Sequence, residues 1–246
     1  MHAEYRWCCA TAEADPSVRV IVVHGDPEGN AFCVGADTKA LEGHVERGAY
    51  SDGLPDKVAD PGINPNPLLH ADFAWQLALR VPIVAAINGA CAGVGLALAA
   101  FADLRFVADD ATLTTAAPRL GLPAECGLSW ILPRVMHRMV ATDLLLSGRR
   151  FSGSEAVGAG FAISGGDRTQ TVERAGAWAR NLVEFASPSS VMMTKTQLSN
   201  DLVHNDLASS VREADLLLAE AMKSADYREG VAALSQRRGP RWSSPG

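Results

Sequence analysis

The sequence contains no C-x-x-C pair, no histidines at metal-ligand spacing, no long apolar run and no excess of positive charge. Each gap removes a class of function. The five cysteines, Cys8, Cys9, Cys33, Cys91 and Cys126, are odd in number and scattered. Neither a disulfide framework nor a zinc site is therefore expected, and the thiols read as reduced. No apolar stretch reaches the roughly 18 residues that cross a bilayer. The start, "MHAEYRWCCATAEADP", carries acids and no apolar signal core, so export is not expected and a cytoplasmic protein is. A formal net charge of −6 argues against general binding to nucleic acid or to anionic membrane. The histidines (His2, His24, His44, His70, His137, His204) read as surface or core side chains.

What remains is an ordinary globular composition, 48% apolar and 20% charged, over 246 residues. That length suits one good-sized domain, or a domain with a helical appendage. "VRVIVVHG" (18–25) and "PIVAAING" (82–89) read as buried strands. "DPEGNAFCVGAD" follows the first as a loop, and a helix opens near Asp37 or Thr38, whose oxygens suit a helix start. Residues 48–67, rich in Pro, Gly and Asp, read as a surface flap. "LLHADFAWQLALR" has helical spacing. "GLALAAF" is a short helix, "DLRFVADD" a third strand and "ATLTTAA" a fourth. Beyond "GLPAECGLSWILPRVM" the chain reads as mostly helical. Val172, Ala175, Ala179, Leu182 and Val183 recur at helical spacing, as do Leu207, Val211, Ala214, Leu218 and Ala221.

The chemistry concentrates in two turns. "PIVAAINGACAGVGLALAA" runs from a strand into a glycine turn and a helix. Amide N–H groups at a helix start have no intrahelical partner, and the helix dipole adds positive potential there. Gly93 and Gly95 permit tight geometry, and Val94 between them can aim its N–H into a cleft. A dinucleotide fold is the wrong reading, because Leu98 stands where a third small residue belongs. Close helix–strand packing without a ligand is the bland one. A second small-residue turn, Gly35-Ala36-Asp37, also stands at a helix start. Two such turns can give two N–H donors to one oxygen, which is the recipe for an oxyanion hole. No Ser–His or Ser–Lys set accompanies the turns, which sets a serine-protease reading aside.

Five stretches in order carry a resemblance. They are "VRVIVVHG…NAFCVGADTKAL", "IVAAINGACAGVGLALAAFADLRFVADDA", "RLGLPAECGLSWILPRVM", "LLLSGRRFSGSEAVGAGF" and "SADYREGVAALSQRRGPRW". Over nearly the whole chain the sequence resembles the crotonase (enoyl-CoA hydratase/isomerase) family. The resemblance implies an α/β fold, a crotonase-like spiral of ββα units over residues 1–185 whose first strand is missing. A C-terminal helical trimerisation region follows over 186–246. It further implies an acyl-CoA thioester as substrate, a homotrimer or a hexamer built as a dimer of trimers, and a place in fatty acid metabolism. No separate cofactor is implied, since coenzyme A enters with the substrate. The thioester oxygen would be held by the backbone amides of Ala36 and Val94. Val34, Gly35, Asp37, Thr38 and Gly93 would flank the CoA and thioester.

The two glutamates with which hydratases of the family handle water fall, by motif position, on Ala97 and Ala117. Alanine carries no proton, so hydration by two acids cannot run from there. Glu125, four residues after Gly121, stands where some family isomerases carry a single acid/base. It follows Leu122 and Pro123 and precedes an apolar helix, surroundings that suit a base near neutral pH. Alternatively it caps that helix or pairs with an arginine such as Arg134. Leu122 and Trp130 are candidates to line the acyl pocket. Lys195 and arginines 237, 238 and 241 are candidates for CoA phosphates, whereas Asp226 and Glu229 read as structural. The expected activity is an isomerase-like proton transfer or an atypical hydration. The rivals are a thioester hydrolase and a non-catalytic acyl-CoA binder.

Overall fold

The computed structural model of the chain describes residues 1–36, 42–43, 69, 72–204 and 206–242. The expected helix at Asp37–Thr38, the 48–67 flap, His44 and His70 lie outside them. The first helix, α1 (His2–Ala14), is followed by β1 (Ile21–His24), β2 (Ala31–Cys33), β3 (Ile83–Ile87), β4 (Ala90–Ala92), α2 (Val94–Ala100), β5 (Leu104–Ala108) and β6 (Thr112–Thr114). Then come α3 (Leu128–Val135), α4 (Arg138–Ser147), β7 (Phe151–Ser152), α5 (Gly153–Gly158) and β8 (Ile163–Gly166). Four helices end the chain: α6 (Arg168–Phe185), α7 (Pro188–Val203), α8 (Leu207–Ala221) and α9 (Ala225–Gln236).

The strands form two four-stranded sheets, ordered β1-β3-β5-β8 and β2-β4-β6-β7. Among the described strands, only the β6–β7 pair is antiparallel. Strands consecutive in sequence, β1 then β2, β3 then β4, β5 then β6, go to different sheets, so the chain coils forward as a spiral. The buried Asn88 pins one coil to the last: its Oδ1 accepts from Gly25 N at 2.9 Å and its Nδ2 donates to Gly25 O at 3.1 Å.

Strand β3 is buried along its whole length. Ile83, Ala85 and Ile87 face the main core, while Val84 and Ala86 face a second cluster with Phe106 and Ala175 under α6. A parallel strand covered on both faces must read as an uninterrupted apolar run, and this one does. Helix α6 is fixed at its start by a capping box, Asp167 with Gln170.

Three elements differ from the sequence expectation. "NAFCVG" holds β2 rather than loop alone, and Ala90–Ala92 is a strand rather than turn. Ala74–Ala78 forms a 3-10 helix, not an α-helix. No residue of α8 is buried, and Leu207, Val211, Leu216 and Leu218 are all exposed.

Candidate active site

Two short paired strands, β2 and β4, deliver the two turns side by side, with Cys33 in register with Cys91. After β4 the chain turns at Gly93, whose φ of +51° is left-handed, and enters α2 at Val94. Gly93 N donates to Thr114 O at 3.1 Å. Val94 is the first residue of its helix and is buried. After β2 the chain turns at Gly35, φ +84°. A Cβ on Gly35 would lie 3.1 Å from Ala92 O and 3.9 Å from Val94 N. A Cβ on Gly95 would lie 2.1 Å from Cys33 O. The two turns are therefore in direct contact, and glycine is what allows it. Among the described residues, the amides of Ala36 and Val94 donate to no protein acceptor.

Glu125 faces this joint. A Cβ on Gly93 would lie 3.7 Å from Glu125 Oε1. The chain leaves Glu125 through two left-handed residues, Cys126 (φ +49°) and Gly127 (φ +72°). A non-glycine residue in that region costs about 1 kcal/mol or more, and such costs cluster at functional sites. Helix α3 is capped by Gly127 with no side-chain bond, so Glu125 does not cap it. Arg134 lies over the Trp130 ring, 4.1 Å from its centroid, and donates to Trp130 O at 2.7 Å. Among the described residues the Glu125 carboxylate has no hydrogen-bond or ion-pair partner, so it does not pair with Arg134. Burial, with the charges of Asp72 and Glu125, pushes the Cys126 thiol up to about 12. It therefore stays protonated beside the carboxylate.

Ala97 and Ala117 are 0% and 2% exposed, and Ala116 beside the latter has φ +59°. Both are methyl side chains inside the fold. Leu122 is 37% exposed. Trp130 stacks on Phe101 at 6.4 Å and 9°. Val34 and Ala36 are exposed, whereas Asp37 and Thr38 lie outside the described residues.

Comparison with known proteins gives the family. The family model for enoyl-CoA hydratase/isomerase matches residues 1–245. The chain belongs to that family. It is 33% identical to a probable enoyl-CoA hydratase of Mycobacterium tuberculosis, over 96% of this chain and 88% of that protein. It is 31% identical to the 1,2-epoxyphenylacetyl-CoA isomerase of Escherichia coli, over 99% and 88%. A crystal structure of a probable enoyl-CoA hydratase/isomerase from Mycobacterium abscessus superposes with a TM-score of 0.82 at 29% identity, covering 99% and 88% of the two chains.

In this member of the enoyl-CoA hydratase/isomerase family, the first residues of α1 reach β2 and Phe73, which the sequence reading missed. Cys33 Sγ contacts Met1 Sδ at 3.8 Å. His2 packs edge-on against the buried Phe73, ring centroids 4.8 Å apart. Helical periodicity did not mark His2, because its placement depends on how α1 docks on distant residues.

The Lys195 reading is corrected by the structure. The side chain is 4% exposed, and its Nζ donates to Gln76 O (3.0 Å), Val81 O (2.9 Å) and Asp103 Oδ2 (2.7 Å). It fastens α7 to the spiral and has no donor left for a phosphate. Arg238 forms a two-pronged pair with Glu229 at 2.5 and 3.0 Å. Asp226 accepts from Ser187 and Ser189. Both acids are structural, as the sequence implied. Among the described residues no three His, Cys, Asp or Glu side chains gather to hold a metal, and no helix is long and apolar enough to cross a membrane.

Proposed function

We propose that this protein transforms an acyl-CoA thioester through an enolate. The amides of Ala36 and Val94 hold the thioester oxygen as it gains negative charge, and one such donor is typically worth about 3 kcal/mol of barrier. Glu125 takes a proton from the α-carbon and returns it further along the chain, shifting a double bond. The electron pair of the C–H bond moves into the enolate and flows back to form the new double bond as the proton is returned. The observation that carries this reading is the Glu125 carboxylate, unpartnered among the described residues, next to Gly93 in the amide turn.

The buried methyls of Ala97 and Ala117 favour this single-base chemistry over two-acid hydration. The likeness to an epoxyphenylacetyl-CoA isomerase supports the same direction. Coenzyme A arrives with the substrate, its nearer part along Val34, Gly35, Asp37 and Thr38, with Leu122 and Trp130 toward the acyl end. The bare apolar face of α8 supports a homotrimer, alone or as a dimer of trimers, with residues 186–246 as its assembly region. The cytoplasm and fatty acid metabolism fit this chemistry.

Product analysis tests the reading. Incubated with a 3-enoyl-CoA, the protein should yield the 2-enoyl isomer. A 3-hydroxyacyl product from a 2-enoyl-CoA would instead make it a single-acid hydratase, and free CoA a thioester hydrolase. Tight binding without turnover of any of these would make it a binder.

A further inference from the structure

Helix α2 meets the two halves of the candidate site at its two ends. At its start stand Val94, with its amide, and Gly93, where a Cβ would lie 3.7 Å from Glu125 Oε1. Just past its last residue stands Phe101, buried at 3% exposure. The Phe101 ring reaches the loop that carries Glu125: a Cβ on Gly127 would lie 3.0 Å from Phe101 Cζ and 3.3 Å from Cε2. The same ring stacks on Trp130, one turn into α3, with centroids 6.4 Å apart. The backbone on either side of Phe101 is held. Arg105 Nη1 donates to Ala100 O at 3.2 Å and to Ala102 O at 2.6 Å, and its Nε donates to Phe161 O at 2.6 Å.

On the other side of that contact the chain is strained. Cys126 and Gly127 are left-handed in succession, and Cys126 carries a side chain. Such backbone persists only where its surroundings over-determine it. A fixed ring against Gly127 denies the loop the space into which it would relax, and Glu125 lies two residues away.

We propose that Phe101 is a positioning residue for Glu125, its ring propping the Cys126–Gly127 bend so that the carboxylate stays beside the Val94 amide turn. This rests on the acyl-CoA reading above. It is tested on the full chain with butyryl-CoA, by calorimetric binding and by exchange of the α-protons with deuterated water at saturating thioester. Phe101→Leu removes Cζ and both Cε atoms, the part of the ring that meets Gly127. Phe101→Met keeps an unbranched apolar chain of similar reach. A carboxylate displaced by a fraction of an ångström predicts exchange about tenfold or more slower in Phe101→Leu, with binding unchanged within about twofold. Phe101→Met should exchange within about threefold of wild type, since methionine adapts to such gaps. Exchange by Phe101→Leu at the wild-type rate, or binding and exchange weakened together in both variants, would overturn the inference while leaving the acyl-CoA reading in place. Thermal melts accompany each assay. If Phe101→Leu is unfolded at the assay temperature, Gly127→Ala serves instead, since its methyl pushes the loop off the same ring: slower exchange with binding kept supports the inference, and wild-type exchange overturns it. Wild-type protein that neither binds butyryl-CoA nor exchanges its α-protons would remove the acyl-CoA reading, and the inference with it.

Discussion

Replacing Gly95 by alanine puts a methyl group into the joint between α2 and β2. The new Cβ would sit 2.1 Å from Cys33 O and 2.7 Å from Cys33 Cβ, where ordinary contact begins near 3.4 Å. The helix start and the strand end must then part by about 1 Å. Cys33 carries the Val34–Ala36 turn, and Val94 precedes Gly95, so the same movement separates the two amides. Misplacement on that scale costs about 10²-fold in rate, which is close to losing one oxyanion donor. Helix propensity works the other way, since alanine is favoured over glycine by about 1 kcal/mol inside a helix. The prediction is therefore a fall of about 100-fold in kcat/KM on a 3-enoyl-CoA, in a protein that still folds. A thermal melt run beside the assay separates geometry from unfolding. Activity within about threefold of wild type, at an unchanged Tm, would refute the reasoning that contact between the turns sets the amide geometry.

Further outcomes follow from the same contacts. Lys195→Met leaves Asp103 and two buried carbonyls short of a donor, and breaking a buried pair from one side costs about 3–5 kcal/mol; the urea midpoint should fall accordingly. Glu229 is held down at about 2 by Arg238. A carboxylate depressed in the folded state contributes stability above its unfolded value, near 4.3. That contribution is lost as pH falls toward 2. Glu229→Gln should be less stable than wild type at pH 7, with the difference closing across that acid window in pH-dependent melts. Leu218→Glu puts a charge on the bare face of α8 and should shift the sedimenting species from oligomer to single chains. An unchanged sedimentation coefficient would move the assembly surface elsewhere.

The parts legible in the sequence were those that carry their own signal. Strand β3 is covered on both faces and shows as "PIVAAI"; α2 follows a glycine turn and shows as a run of small apolar residues. The turns at Gly35 and Gly93 were legible because left-handed backbone leaves glycine behind. The two-residue strand Phe151–Ser152 was not legible, since it exists only because β6 offers an edge to pair with. The buried ammonium of Lys195 was equally hidden, because lysine ordinarily marks a surface and here three distant acceptors reverse that. Glu125 was visible as a carboxylate at a motif position. Its freedom from Arg134 depended on Trp130, which takes the guanidinium instead.

The central claim is that the amides of Ala36 and Val94 stabilise an enolate while Glu125 moves the α-proton. Exchange of the α-protons of butyryl-CoA with deuterated water, followed by proton NMR, tests it without requiring the natural acyl group. Wild type should exchange them, and Glu125→Gln should bind butyryl-CoA undiminished yet exchange at least about 100-fold more slowly. Exchange by Glu125→Gln at the wild-type rate, or none by wild-type protein that binds the thioester, would contradict the account.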